Sequence, residues 1–190
     1  MATEEQGPER SNILIDGAGY TLQGTGASDS EGIELTGRNN VTIKNMKITA
    51  FYHGVSLYSS SNSSVSGNNI TANSSGICLA YSSNNNSISG NNITNNGHGI
   101  EFYSSSNNRI FHNNFINNYL HIGVNERSLP NVLDDGYPVG GNYWSSYTGV
   151  DLYSGSNQNA TGSDGIGDTP HVIDENNNGP LPAYGSLQHV

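Results

Sequence analysis

The chain has few basic residues, and this scarcity bears on its partners. Lysine and arginine number 6 against 16 acidic residues, which gives a formal net charge of −10 over 190 residues. Proteins that bind nucleic acids neutralise phosphates with lysine and arginine. The composition therefore argues against a nucleic-acid partner, and for the same reason against an anionic membrane surface.

Cysteine and long apolar runs are also scarce. Cys78 is the only cysteine, which excludes an internal disulfide, and we interpret it as a small packed side chain rather than a reactive thiol. No segment approaches the ~20 apolar residues of a membrane span. Residues 1–11 are polar and lack the apolar core of a signal peptide. We therefore expect either a cytosolic protein or a chain whose signal is missing.

The middle of the chain is almost free of acidic residues. Between Gly54 and His121, Glu101 is the only acid and Arg109 the only basic residue besides histidine. Glycoside hydrolysis needs two carboxylates, so this stretch lacks a hydrolytic pair, and we predict a non-catalytic protein. The acids upstream, Glu31 among them, are interpreted as solvated charges. A polysaccharide-active enzyme, the alternative, would have to use Glu101 or the acids near the C-terminus.

What the middle does contain is a repeat. A Gly-apolar-x-apolar motif begins at Gly32, Gly54, Gly76 and Gly99, and His121 takes the glycine position once more. The steps are equal except for the one from Gly76 to Gly99, which is longer by a single residue. Three apolar columns follow the same period: Ile33, Val55, Ile77, Ile100, Ile122; Ile43, Val65, Ile88, Ile110; and Ile48, Ile70, Ile93, Phe115. The extra residue of the longer step falls within Cys78–Ser87, most naturally in the polar run 81–86. Such periodicity indicates a solenoid.

Each repeat holds three short, β-branched segments separated by polar bends, which is typical of strands and not of helices. We predict an all-β, right-handed parallel β-helix of about five coils over residues 12–125, after a polar segment (1–11) and before a C-terminal cap (126–190). A leucine-rich horseshoe would need a denser leucine pattern. An uncovered solenoid end exposes strand edges, so we expect either a chain cut from a longer protein or end-to-end self-association.

Asparagines recur in register at the bends. Asparagine tolerates left-handed backbone conformations, and stacked amides can bond along the solenoid. We predict structural corner ladders, with a ligand-binding row as the alternative. The members of these registers are Asn68, Asn91, Asn113; Asn69, Asn92, Asn114; and Asn73, Asn96, Asn118.

The run NNITNNGHGIEFYSSSNNRIFHNNFINN, with GGNYWSSYTG and SDGIGDTPHVID further on, resembles the NosD-like parallel β-helix repeat proteins of the pectin-lyase-like fold. The resemblance covers roughly Ile13 to Pro182. It implies an extracellular or cell-surface module, structural or glycan-binding, whose partner is a polysaccharide or surface glycan. Copper handling, which the family name denotes, is a further alternative.

The C-terminal region is rich in aromatic and acidic residues. Trp144 is predicted to anchor the cap, and the sharper interpretation is a sugar platform made of Tyr143, Trp144 and Tyr147. Ser163–Asp168 alternates aspartate and glycine as calcium loops do. We predict a Ca²⁺ site, with an ordinary Asp-Gly turn as the alternative. Its ligands would be Asp151, Asp164, Ile166, Asp168 and Asp174.

Two histidines, His53 and His98, share one register with Ser75 between them. Two coils separate them by roughly 10 Å, which is too far for one metal ion without further ligands. We interpret them as wall histidines, with a copper or zinc site as the alternative.

Overall fold

The computed structural model describes residues 12–125, 130–171 and 173. Over these residues the chain forms a parallel β-helix of about five coils, each with three strands, and the predicted fold class is confirmed. No helix long and apolar enough to cross a membrane occurs in the described ranges.

Equivalent strands of successive coils pair in parallel and build three walls. Wall A consists of β1 (Leu14–Asp16), β4 (Thr42–Lys44), β7 (Ser64–Ser66), β10 (Ser87–Ser89) and β13 (Arg109–Phe111). Wall B consists of β2 (Thr21–Gln23), β5 (Lys47–Thr49), β8 (Asn69–Thr71), β11 (Asn92–Thr94), β14 (Asn114–Ile116) and, from the cap, β16 (Tyr143–Trp144). Wall C consists of β3 (Glu31–Thr36), β6 (His53–Tyr58), β9 (Ser75–Ala80), β12 (His98–Tyr103) and β15 (Leu120–Asn125).

The three apolar columns lie in the core as predicted. In wall A, Ile43 pairs with Val65, and Ile88 pairs with Ile110. These residues and their counterparts in the middle coils of the other walls are fully buried. A single coil could not bury this apolar face, so each coil depends on its neighbours for stability.

The predicted asparagine ladders are confirmed for two of the three registers by their hydrogen bonds. Asn91 Oδ1 accepts from the backbone N–H of Asn68 at 3.0 Å and from its Nδ2 at 3.0 Å. Asn113 Oδ1 receives the same pair of bonds from Asn91. The register that starts at Asn73 repeats this pattern. In the Asn69 register only one amide bond forms, from Asn114 Nδ2 to Asn92 Oδ1, on the exposed face of wall B.

The extra residue of the long repeat lies where the polar run predicts it. Ser59 Oγ bonds to the carbonyl of Tyr81, 22 residues on, whereas the N–H of Ser60 bonds to Ser83 Oγ, 23 residues on. Tyr81 and the inserted Ser82 both have positive φ, 53° and 68°. The lengthened corner leaves the Tyr81 side chain 69% exposed at the edge of wall C.

The described cap residues continue the solenoid before they leave it. Asn142 extends the Asn113 ladder by one rung, and Asn131 does the same for Asn108. Trp144 pairs with Phe115 across β16 and β14, and their rings stack at 4.5 Å. At 1% exposure, Trp144 closes the C-terminal end of the core, as the anchor interpretation predicts.

A two-stranded antiparallel hairpin, β17 (Tyr153–Ser154) with β18 (Ala160–Thr161), follows in the cap. Asp174, one of the predicted Ca²⁺ ligands, lies outside the described residues. Residues 1–11 also lie outside them, and end-to-end association of the solenoid stays a prediction.

Candidate functional site

A trough runs across the outer face of wall C, and three strands create it. The central strand, β9, contributes the small side chains of Cys78 and Ala80 to the lining. Its neighbours carry much larger residues in the same rows, since Tyr58 of β6 and Tyr103 of β12 flank Ala80. The missing volume in β9 therefore leaves a depression one coil wide between two tyrosines.

Four tyrosines enclose this trough, which has a volume of about 510 Å³. Tyr81 leans over it from the lengthened corner, with its ring 5.9 Å from that of Tyr58. Tyr52 packs against the His53 ring at 4.6 Å. The described residues that line it are Tyr52, His53, Tyr58, Cys78, Ala80, Tyr81, Tyr103 and Ser104.

A carboxylate stands directly behind the lining on one side. Glu31 reaches from the first coil to the second, where Oε1 lies 2.8 Å from His53 Nδ1 and Oε2 accepts from Ser56 Oγ at 2.5 Å. Tyr58 Oη lies 3.5 Å from the same histidine nitrogen. Glu31 thus fixes His53 at the trough wall.

A second carboxylate occupies the opposite side. Glu101, only 6% exposed, accepts hydrogen bonds from Ser75 Oγ and, at 3.2 Å, from Tyr103 Oη. His98 Nδ1 lies 3.2 Å from Glu101 Oε1. The two sides of the trough therefore share one design, a glutamate bound to a histidine and a serine hydroxyl beside a tyrosine.

The electrostatic environment of the trough is negative. Burial raises the pKa of the Cys78 thiol to about 12, and the Glu101 and Glu31 charges add to the effect. Burial, and then Glu101, raises the pKa of Tyr103 to about 12. Burial also raises the pKa of Tyr58. At neutral pH the thiol is protonated, so Cys78 is a floor residue and not a nucleophile.

Glu31 is the site residue that sequence reasoning missed. Its interpretation as a solvated charge is wrong, because it bonds to both His53 and Ser56. Glu31 is in register with His53 of the next coil and with Ser75 of the coil after that. This shared register is the sequence signal from which its contact with His53 could have been predicted. The shared register of His53, Ser75 and His98 is confirmed.

The aromatic trio of the cap does not form one sugar platform. The Trp144 ring is buried between Phe115 and His171, which stack on it at 4.5 and 5.0 Å. Its faces are covered, so the platform prediction is wrong for Trp144. Tyr143 is exposed on wall B, whereas Tyr147 donates to the Thr169 carbonyl and lines a smaller cavity of about 300 Å³.

The three described aspartates of the predicted calcium loop lie together and bind backbone N–H groups. Asp151 accepts from Asp164 and Gly165, and Asp168 accepts from Leu152 and Tyr153. Asp164 accepts in turn from residues 155 and 166. Ile166 is buried, at 1% exposure. These bonds stabilise the turns of the cap, and the Ca²⁺ site stays a prediction.

Calcium binding is testable through stability. If the loop holds Ca²⁺ only when folded, millimolar calcium raises the melting temperature of a metal-free sample and EDTA reverses the rise. Replacing Asp164 and Asp168 by alanine abolishes this difference, whatever it does to the starting value. Identical melting curves with calcium and with EDTA would leave an ordinary turn.

Two half-buried histidines at the C-terminal end of the core, His121 of β15 and His171 of the cap, predict a pH dependence. Burial lowers the pKa of His121 to about 4, with a contribution from His171, and burial also lowers the pKa of His171. The unfolded chain, with histidine near its ordinary 6.5, then binds more protons than the folded protein between about pH 6.5 and 4. Stability is therefore complete above pH 6.5 and falls as the pH drops through this window.

Thermal melting at pH 7 and pH 5 measures this effect. We expect a lower melting temperature at pH 5 and a smaller decrease in His121→Phe, whose ring can still pack beside Phe115 and Trp144. An equal decrease in the variant would place the acid sensitivity elsewhere.

Within the described ranges, no group of three or more His, Cys, Asp or Glu side chains is placed to hold a metal ion. His53 and His98 each place Nδ1 next to a glutamate carboxylate, at 2.8 and 3.2 Å respectively.

Comparison with known proteins matches the chain to one protein family. A family model described as NosD, periplasmic copper-binding protein, matches residues 5–149. No curated protein and no solved structure matches the chain significantly.

Proposed function

From the premise that this chain belongs to the NosD family, we propose that it is a non-cytoplasmic, non-catalytic β-helix protein that binds a glycan in the trough of wall C. The family's description as periplasmic supports the location. The tyrosine-lined trough is the single observation that supports a glycan as the ligand.

The composition of the trough fits a sugar. Tyrosine rings offer apolar faces to the C–H surface of a pyranose, while their hydroxyls can bond to its rim. Tyr58 and Tyr103 stand two coils apart, about 9.6 Å along the stack. A flat ring over Ala80 would lie between these side chains.

The polar groups around the trough suit binding better than catalysis. Each glutamate is already held by a serine hydroxyl and a histidine, which fixes it as a hydrogen-bond acceptor. A glycoside hydrolase would need one carboxyl group free to donate its proton and one free to attack or to activate water. We therefore expect no release of sugar from a bound polysaccharide.

Copper, the metal in the family's description, does not fit the described residues. The only thiol, Cys78, is protonated at neutral pH, and Met46 packs against the apolar core. Met1 and His189 lie outside the described residues. Copper handling remains the alternative function, and stoichiometric binding of Cu(I) or Cu(II) to the purified chain would favour it.

A glycan library followed by titration calorimetry tests the proposal. We expect Tyr58→Ala and Tyr103→Ala each to weaken the best-binding oligosaccharide about tenfold, a loss of about 1.4 kcal/mol. Tyr119→Ala is the matched control, because Tyr119 is 87% exposed and lies outside the trough. Absence of any bound glycan, or equal affinities for all three variants, would refute the proposal.

A further inference from the structure

We propose that the trough selects a glycan carrying free amino groups, such as a de-N-acetylated hexosamine polymer, over neutral and uronate polymers. This inference rests on the proposed function and narrows its substrate class. Two carboxylates set behind an aromatic lining carry it.

The acidic side chains closest to the trough, Glu31 and Glu101, lie behind its lining, and each is paired with a histidine. Glu31 and Glu101 lie behind its two sides, each in contact with a lining residue, His53 and Tyr103 respectively. None of the described residues that line it is a lysine or arginine. A uronate carboxylate would meet like charges here without a fixed cation to neutralise it, whereas an ammonium group would be attracted.

The aromatic walls add to the same preference. Tyrosine faces attract a cation within about 6 Å of the ring centroid, and the attraction grows when the cation is desolvated. Tyr58 and Tyr81, 5.9 Å apart, enclose one end of the trough, and Tyr103 flanks the other. Rings and carboxylates together make a cage for an ammonium group attached to a flat sugar.

The position of the carboxylates favours a charged amine over an N-acetyl group. Glu101 is almost completely buried, and its oxygens already accept from Ser75 and Tyr103. His98 lies 3.2 Å from this carboxylate, so an acetamide would add nothing to its compensation, whereas an ammonium group in the trough would add a positive charge even without direct contact.

Titration calorimetry with three matched tetrasaccharides tests the inference: glucosamine, N-acetylglucosamine and galacturonic acid oligomers. We expect the glucosamine oligomer to bind the wild type about tenfold more tightly than the acetylated one, and the galacturonate to bind least. In Glu101→Gln, which keeps the shape of the side chain, the ratio of the two affinities falls toward one. Glu31→Gln provides a second variant in case Glu101→Gln does not fold, as judged by its melting curve.

Asp16→Asn is the control, because it removes one negative charge on wall A, where Asp16 pairs with Lys44. It should keep the wild-type ratio. An equal fall in the control would assign the preference to net charge and overturn the inference. So would equal or tighter binding of the acetylated or galacturonate oligomer at the trough, although the proposed function would then stand. Binding of no sugar at all would overturn the proposed function itself.

Discussion

A variant that lacks the whole coil from Gly76 to His98 is expected to fold, whereas a variant that lacks only residues 76–86 is expected to remain unfolded. The longer deletion removes one complete turn of the solenoid and joins Ser75 to Gly99. These residues lead into equivalent strand positions, because Ser75 and His98 are register partners. Val55 would then pair with Ile100, and the wall A and wall B columns would close over the gap in the same way.

The shorter deletion removes β9 and its corner but leaves β10 and β11 without a wall C strand before them. Each later segment is then displaced from its own wall, so the apolar columns and the ladders are broken together. Circular dichroism with thermal melting distinguishes the two variants. If both melt cooperatively, or neither does, coils are not the unit of stability.

The coil deletion also removes the trough. Tyr58 and Tyr103 would become neighbours in one row, since the strand that carries Ala80 between them is gone. Oligosaccharide binding should therefore disappear from a protein that still folds. Retained binding would place the glycan site on another surface.

Asn91→Ala is expected to lower the free energy of unfolding by about 3 kcal/mol or more, because it breaks a buried ladder in the middle. Asn91 is fully buried, and its Oδ1 accepts two hydrogen bonds from Asn68. Its Nδ2 donates to the Val65 carbonyl and to Asn113 Oδ1. Alanine leaves several of these groups buried without a partner, and each such group costs about 1–3 kcal/mol.

Asn92→Ala supplies the matched control from the next position in the chain. Asn92 is exposed on wall B, and its amide oxygen accepts one bond from Asn114. We expect its replacement to change stability by less than about 0.5 kcal/mol. Urea unfolding of both variants gives the comparison. Similar losses for the two would mean that the ladder bonds contribute no more than a surface contact.

The repeat made most of the fold predictable from the sequence. Its nearly constant period places Ile43, Val65 and Ile88 in one column whatever the details of the bends, and the same argument aligns Asn68 with Asn91. Both predictions depend only on spacing and on what a stacked coil must bury or bond. Even the extra residue at the Tyr81 corner is visible as one longer step.

The trough could not be predicted in this way, because it arises from a departure from the repeat. Its floor is formed by Cys78 and by Ala80, whose side chain is small where the neighbouring coils carry tyrosines. Its rim includes Tyr81, which the inserted residue leaves exposed. Glu31 looks like a surface acid until the direction of its side chain, toward the next coil, is known. Trp144 is correctly predicted as the anchor of the cap, whereas its alternative role in a sugar platform is not supported, because the ring is buried at the end of the core.

The small sequence separation between paired strands also affects how quickly the chain can fold. The partner of a wall strand lies one coil away along the chain, so forming each contact closes only a short loop. The relative contact order is therefore low for a protein made of strands. Any two adjacent coils can therefore serve as a nucleus, and the remaining coils can add in either direction.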